Sequence, residues 1–246
     1  MGGNALYFEW EVILMEWLQN AGGNVLLKFF EFITELGGQY VLVGFMAVMY
    51  WGINKDFGEN LLRRMAIVLI FPSILKNMVR RLRPYFVNPG VKCLHAAEPG
   101  DIMNVAVQGF SFPSMHTANA TVFYGYIALS VKKLKKHKWI VAMGIILPIL
   151  IGISRTYVGV HYPTDVMCGW VIGVFAISLI GFLDTKVKNK SLIDIGILIC
   201  GLPGFFIADS NDFYTSYGII AGAFLALYIE DRYVKFENTK MFLRLL

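Results

Sequence analysis

Two histidines, His116 in FPSMHTANA and His161 in SRTYVGVHYPTDV, stand where polar segments open onto apolar runs. His161 and Asp165 are spaced i, i+4, so a helix starting there sets the carboxylate one turn from the ring. It can then accept from one ring nitrogen and leave the other as a base of fixed tautomer. Ser114 reads as an N-cap, which leaves the N–H groups of Met115 and His116 without internal partners. A helix start of this kind is a cradle for an anion. In KNMVRRLRP, Lys76, Arg80 and Arg83 fall at i, i+4, i+7 on one helical stripe, and Pro84 is expected to end that helix just after Arg83. Ser154 and Arg155 close the run before His161. Each cluster alone has a plainer reading: a cap, a satisfied histidine, cations snorkelling to an interface. Together they supply cations for equatorial oxygens, an in-line nucleophile and an acid for a leaving oxygen, which is what phosphoryl transfer needs. No metal or other cofactor is expected, because no carboxylate cluster is evident for magnesium and HxxxD alone is a thin zinc site.

The elements that position these groups are apolar. The chain of 246 residues is 57% hydrophobic and 16% charged, against about 25% charged in soluble domains. It is expected to be all-α, a polytopic transmembrane bundle of about seven spans near 38–53, 61–79, 114–131, 138–153, 162–183, 192–208 and 213–229. Residues 1–36 are assigned to N-terminal interfacial helices, 37–185 to a catalytic membrane core, and 186–246 to two further spans and a tail. Residues 6–19 place Trp10, Ile13, Leu14, Trp17 and Leu18 at helical spacing, as in a helix lying in the membrane interface. Residues 24–36, interrupted by Lys28, Glu31 and Glu35, are not expected to cross. No signal peptide or lipid anchor is expected. The three cysteines, Cys93, Cys168 and Cys200, suggest neither a disulfide framework nor a zinc site.

Most of the 22 lysines and arginines fall on one set of loops, at Lys55, Arg63, Arg64, Lys132–Lys138, Lys186–Lys190 and the tail. That side is expected to be cytoplasmic. Lys76, Arg80, Arg81, Arg83, Lys92 and Arg155 break the bias on the other side, together with both histidines.

The ordered pattern K-x6-R-P, P-S-x-H and S-R-x5-H-x3-D resembles the type 2 phosphatidic acid phosphatase family, which also includes lipid phosphate phosphatases, glucose-6-phosphatase and the vanadium haloperoxidases. The matching positions are Lys76, Arg83 and Pro84; Pro113, Ser114 and His116; and Ser154, Arg155, His161 and Asp165. The resemblance implies a two-step mechanism with catalytic His161, His116 and Asp165. His161 would attack phosphorus, Asp165 would orient it, and His116 would protonate the leaving oxygen and then activate water. Lys76, Arg83, Ser114 and Arg155 would bind the phosphate. Met115 stands where the family usually has glycine, and is read as a substrate-binding position that narrows the headgroup pocket.

The long segment from Tyr85 to Phe112, with Cys93, His95, Glu98 and Asp101, is expected to act as a lid or headgroup-selecting flap. The expected substrate is a lipid phosphomonoester or pyrophosphate of phosphatidic acid, polyprenyl or sphingoid type. Membrane lipids are the other expected partner, and no nucleic acid is. A soluble sugar phosphate, transfer to another alcohol, and a non-catalytic phospholipid transporter remain open at this point. The expected location is the cell membrane, with the site extracytoplasmic. In sealed cells and a background lacking the native cysteines, Lys92→Cys should react with an impermeant probe and Lys135→Cys should not. The reverse pattern would invert the orientation.

Overall fold

The computed structural model describes residues 3–131 and 138–237. The basic run 132–136 and the tail cations Lys240 and Arg244 lie outside the described residues. Helices follow one another with short breaks: α1 Glu9–Ala21, α2 Asn24–Glu35, α3 Gln39–Val48, α4 Lys55–Val79, α5 Pro84–Val87 and α6 Val105–Gln108. Then come α7 Met115–Val131, α8 Lys138–Tyr157, α9 Pro163–Lys186, α10 Lys190–Gly201, α11 Gly204–Ile207 and α12 Asn211–Ile229. Single π-helical turns extend α3 to Ile53 and α12 to Val234.

The boundaries have local causes. Asn54 and Asn189 cap α4 and α10 by accepting from Phe57 N–H (2.8 Å) and Ser191 N–H (3.1 Å). Pro163 opens α9, where its missing N–H costs nothing. Asp165 at the third position of α9 accepts from Tyr162 N–H at 2.9 Å, reaching back to the residue that precedes the helix.

The all-α class holds among the described residues, but the count of seven spans is not confirmed. Four helical segments, 138–157, 163–186, 190–207 and 211–234, are long and apolar enough to cross a membrane. A fifth is possible if α2 and α3, bent by 51°, form one broken span. The expected spans in α4 and α7 are not among these segments. α4 carries Arg63, Arg64 and Lys76 within its buried length, and α7 is described over 17 residues, up to Val131. Both run through the interior, where neighbouring helices rather than lipid surround them. Ala118, Val122 and Phe123 of α7 pack with Met65–Ile70 of α4, Ala176 and Ile180 of α9, and Ile220 and Phe224 of α12.

The expected end of α4 is also corrected. It stops at Val79, and Arg80 takes the left-handed conformation (φ 53°) as its C-cap. The stripe Lys76–Arg80–Arg83 therefore does not exist, because the chain leaves the helical screw before Arg83. Arg80 instead turns outward to Asp209 at 3.2 Å.

The small residues of α9 let it approach α7 closely. A Cβ at Gly169 would meet Ser114 O and Thr117 Cβ, and one at Gly173 would meet Thr121 Cβ. Gly169→Val should force α9 away from the first turn of α7, at about 1–3 kcal/mol, the usual range for overpacking. A lowered thermal midpoint in detergent is the expected readout, and an unchanged one would contradict this close approach.

Candidate active site

α4 ends, α7 begins, α8 ends and α9 begins at one level of the bundle, with α12 starting beside them. A cavity of about 730 Å³ opens there, lined by Lys76, Arg83, Met115, His116, Arg155 and His161, with Asn119, Asn211 and Asp212. Thus the three separate sequence clusters meet in one place.

The cations are deeply set: Lys76 is 8% exposed, Arg83 3% and Arg155 2%. Neutral oxygens hold two of them. Arg83 donates to Gln108 O (2.6 and 2.9 Å), Gly109 O (3.2 Å) and Val160 O (3.0 Å). Arg155 donates Nη1–H to Thr34 Oγ1 at 2.8 Å, while its buried Nε–H has no partner. Carbonyls and a hydroxyl fix these guanidinium groups without neutralising them, so their own charges stay available to an anion.

His161 is held by its backbone. The Arg155 carbonyl accepts from the N–H groups of Val160 and His161, both at 3.3 Å, folding 155–161 into a tight turn. Gly159 has φ +87° within it, and a Cβ there would run into Lys92 O, so glycine is required. His161 Nδ1 faces Asp165 Oδ2 at 3.6 Å, too long for a hydrogen bond, and is otherwise unpartnered. The expected contact is therefore present as a near approach. Burial, and then the Arg83, Arg155 and Lys76 charges, push the His161 imidazole well below its ordinary pKa of 6.5.

Ser114 is fully buried and serves as a cap: its Oγ lies 2.9 Å from Thr117 Oγ1 and accepts from Thr117 N–H at 3.4 Å. Its own N–H donates to Asp165 O at 3.1 Å, joining the start of α7 to that of α9. Ser114 is not among the residues lining the cavity. Met115 does line it, and its sulfur accepts from Ser73 Oγ at 3.6 Å, which restrains the flexible side chain.

The long connection reaches the cavity with His95–Pro99. Its organiser is Gln108, 1% exposed, which accepts from Ala97 and Glu98 N–H and donates to Glu98 O. Leu94 N–H bonds Val158 O at 2.9 Å, pinning the segment to the His161 turn. Sequence reasoning placed Glu98 on the expected flap but missed the two acids that share the cavity wall with it, Glu35 from the α2–α3 elbow and Asp212 from α12. Burial and the neighbouring Asp212 charge raise Glu98 above the usual carboxylate range. Nothing in local spacing connects residues 35, 98 and 212.

Among the described residues one group of carboxylates is close enough to share a cation: Glu59, Glu230 and Asp231. Glu59 is 17 residues from Lys76 along α4, roughly 25 Å away. The Lys55 ammonium already sits against Glu230 and Asp231. That group has no part in the cavity.

The family model for the PAP2 superfamily matches residues 60–186. The chain belongs to this family. Undecaprenyl-diphosphatase of Sulfolobus acidocaldarius is 31% identical over 160 residues, covering 64% of this chain and 68% of that protein. Phosphatidylglycerophosphatase B of Bacillus subtilis is 30% identical over 168 residues, covering 64% and 74%. The crystal structure of a transmembrane PAP2-type phosphatidylglycerolphosphate phosphatase from Bacillus subtilis superposes with a TM-score of 0.59 at 26% identity, covering 73% of this chain and 87% of that one. This PAP2 chain is accordingly a membrane phosphatase of the lipid phosphatase type.

A base with a depressed pKa stays neutral as pH falls through its ordinary value. In ¹³C-histidine NMR of the detergent-solubilised protein, His161 should remain unprotonated at pH 6.5 and titrate below it. Arg155→Gln should move the transition upward, since it removes one of the charges responsible. A wild-type His161 protonated above pH 6.5 would contradict the electrostatics described here.

Proposed function

We propose that this PAP2 protein hydrolyses a lipid phosphomonoester or diphosphate through a phosphohistidine, without a metal, at the extracytoplasmic face. One observation carries the reading. His116 and His161 face the same cationic cavity, and a buried carboxylate stands behind His161 alone. His161 attacks phosphorus as the bond to the lipid oxygen breaks, and His116 gives that oxygen its proton. His116 then takes a proton from water, which attacks phosphorus while the P–N bond breaks and inorganic phosphate leaves. Lys76, Arg83 and Arg155 neutralise the transferring group, with the amide end of α7 beside them. Ser114 contributes by holding that helix end, Met115 by narrowing the pocket, and Asp165 by orienting His161.

Both relatives named above are called phosphatases of lipid substrates, which supports a lipid ester over a sugar phosphate. A groove of about 680 Å³ with almost wholly apolar walls lies between α4, α9 and α10 and reaches Leu75, the residue before Lys76. It has the character needed for a lipid tail. The excess of cations at the opposite ends of the helices supports the assigned face.

Phosphate release from a lipid monophosphate, a lipid diphosphate and a sugar phosphate should favour the lipids, persist in excess chelator and be blocked by vanadate. His116→Ala should keep more of its first-step rate on an aryl phosphate than on an alkyl one, because a stable leaving oxygen needs little acid assistance, which is typically worth about 10²–10⁴-fold. His161→Ala should abolish both reactions and any acid-labile ³²P label on the protein. Activity lost to chelator and restored by a metal would refute the metal-free mechanism. Aryl activity surviving in His161→Ala but not in His116→Ala would reverse the two roles.

A further inference from the structure

Arg81 belongs to the same basic run as Arg83 but does not line the cavity. Its guanidinium lies one layer behind, 5% exposed, between two fully buried carboxylates from distant parts of the sequence. Nη2 donates to Glu11 Oε2 at 2.7 Å, and Nη1 donates to Asp165 Oδ1 at 2.5 Å and to Thr164 Oγ1 at 2.7 Å. Nε donates to Leu6 O at 2.5 Å, and the group stacks 4.0 Å from the Tyr162 ring centre.

Glu11 is equally occupied. Its Oε1 accepts from Thr164 N–H (3.1 Å) and Oγ1–H (2.6 Å), and its Oε2 also accepts from Phe8 N–H at 2.9 Å. The far end of this network is Asp165 Oδ2, which accepts from Tyr162 N–H and faces His161 Nδ1 at 3.6 Å. We infer that Glu11 is a positioning residue for the reaction: through Arg81 it holds the Asp165 carboxylate in register behind His161. The inference rests on the assignment of His161 and Asp165 made above.

A guanidinium forked between two carboxylates has one low-energy position, because each carboxylate stops it from swinging to the other. Without the Glu11 charge the pull on Arg81 is one-sided toward Asp165, so the guanidinium and that carboxylate shift together within the limits set by Leu6 O, Thr164 Oγ1 and Tyr162 N–H. His161 Nδ1 has no other partner, so its orientation follows Asp165. Outer partners that orient metal ligands matter by about 10–100-fold when removed, and a loss of that order is expected for a group orienting a catalytic histidine. The N-terminal segment does not depend on Glu11 alone for its docking. Asn4 exchanges backbone hydrogen bonds with Arg80 O (2.7 Å) and Leu82 N–H (3.0 Å), and its side chain donates to Val79 O. Gln19 independently bonds Lys92 and Tyr157. The nearly isosteric Glu11→Gln should therefore stay folded.

The test uses the full chain in detergent with dioleoyl phosphatidic acid, and kcat and KM are read separately. Glu11→Gln should lose about tenfold or more in kcat, with KM within about twofold, and Glu11→Asp should recover part of the loss. A double-mutant cycle on an aryl phosphate separates positioning from folding. In an Asp165→Asn background, Glu11→Gln should cost less than about twofold, because its effect passes through the missing carboxylate. An unchanged kcat in Glu11→Gln, or the same loss persisting without Asp165, would overturn the inference while leaving the phosphatase intact. A wild type that releases no phosphate from either ester would instead remove the assignment beneath it.

Discussion

Three cations gathered around one cavity in a low-dielectric setting are the constraint on which the rest depends. Lys76, Arg83 and Arg155 come from different elements and repel one another, and burying charge without a partner is expensive. Carboxylates bound directly to them would relieve the cost and also cancel the field. Arg83 and Arg155 instead bond carbonyls and a hydroxyl, which supply dipoles without a net charge. The acids that do face the cavity, Glu35, Glu98 and Asp212, come from three other elements. An anion entering the cavity thus meets a site prepared for it, with most of the reorganisation done during folding.

Behind this layer, whose cations and acids stand apart, lies one of direct ion pairs. Arg81 is bonded to both Glu11 and Asp165, and all three side chains are buried. The contrast accounts for two neighbouring arginines having unrelated environments. After the left-handed turn at Arg80 the chain runs extended, so Arg81 and Arg83 are not on a helical screw. The first helix closes the layer with Glu11, Met15 and Gln19 turned inward and Trp10, Ile13 and Trp17 turned out. The helix thus turns bonded polar side chains, Glu11 and Gln19, toward the protein and large apolar ones away from it.

At the other end of the bundle the charges have a mechanical role. Arg63 bonds Asp194 at 2.8 Å, and Arg64 bonds Asp184 at 3.1 Å, with Lys190 on the same Asp184. These pairs clamp α4 to α9 and α10. Lys190, Arg63 and Arg64 belong to the cation-rich end of the bundle, and their carboxylate partners give them a task in holding helices together.

The helical class, the place of the long helices and the residues His116, His161, Asp165, Lys76, Arg83 and Arg155 are legible in the sequence. Each rests on a local signal: hydrophobic length, a cap, an i+4 spacing or a short ordered motif. Such signals report what neighbours within a turn or two can do. The end of α4 was misread because a proline at residue 84 looks like a stop, whereas Arg80 already leaves the helix in the left-handed conformation. The count of seven spans is not confirmed: hydropathy presumes lipid on every side, while α4 and α7 are packed largely against protein. The acidic wall and the Glu11–Arg81–Asp165 network belong to the tertiary structure alone. Their members are separated by tens of residues or more, and charge pairing over such separations has no periodicity for a sequence to display.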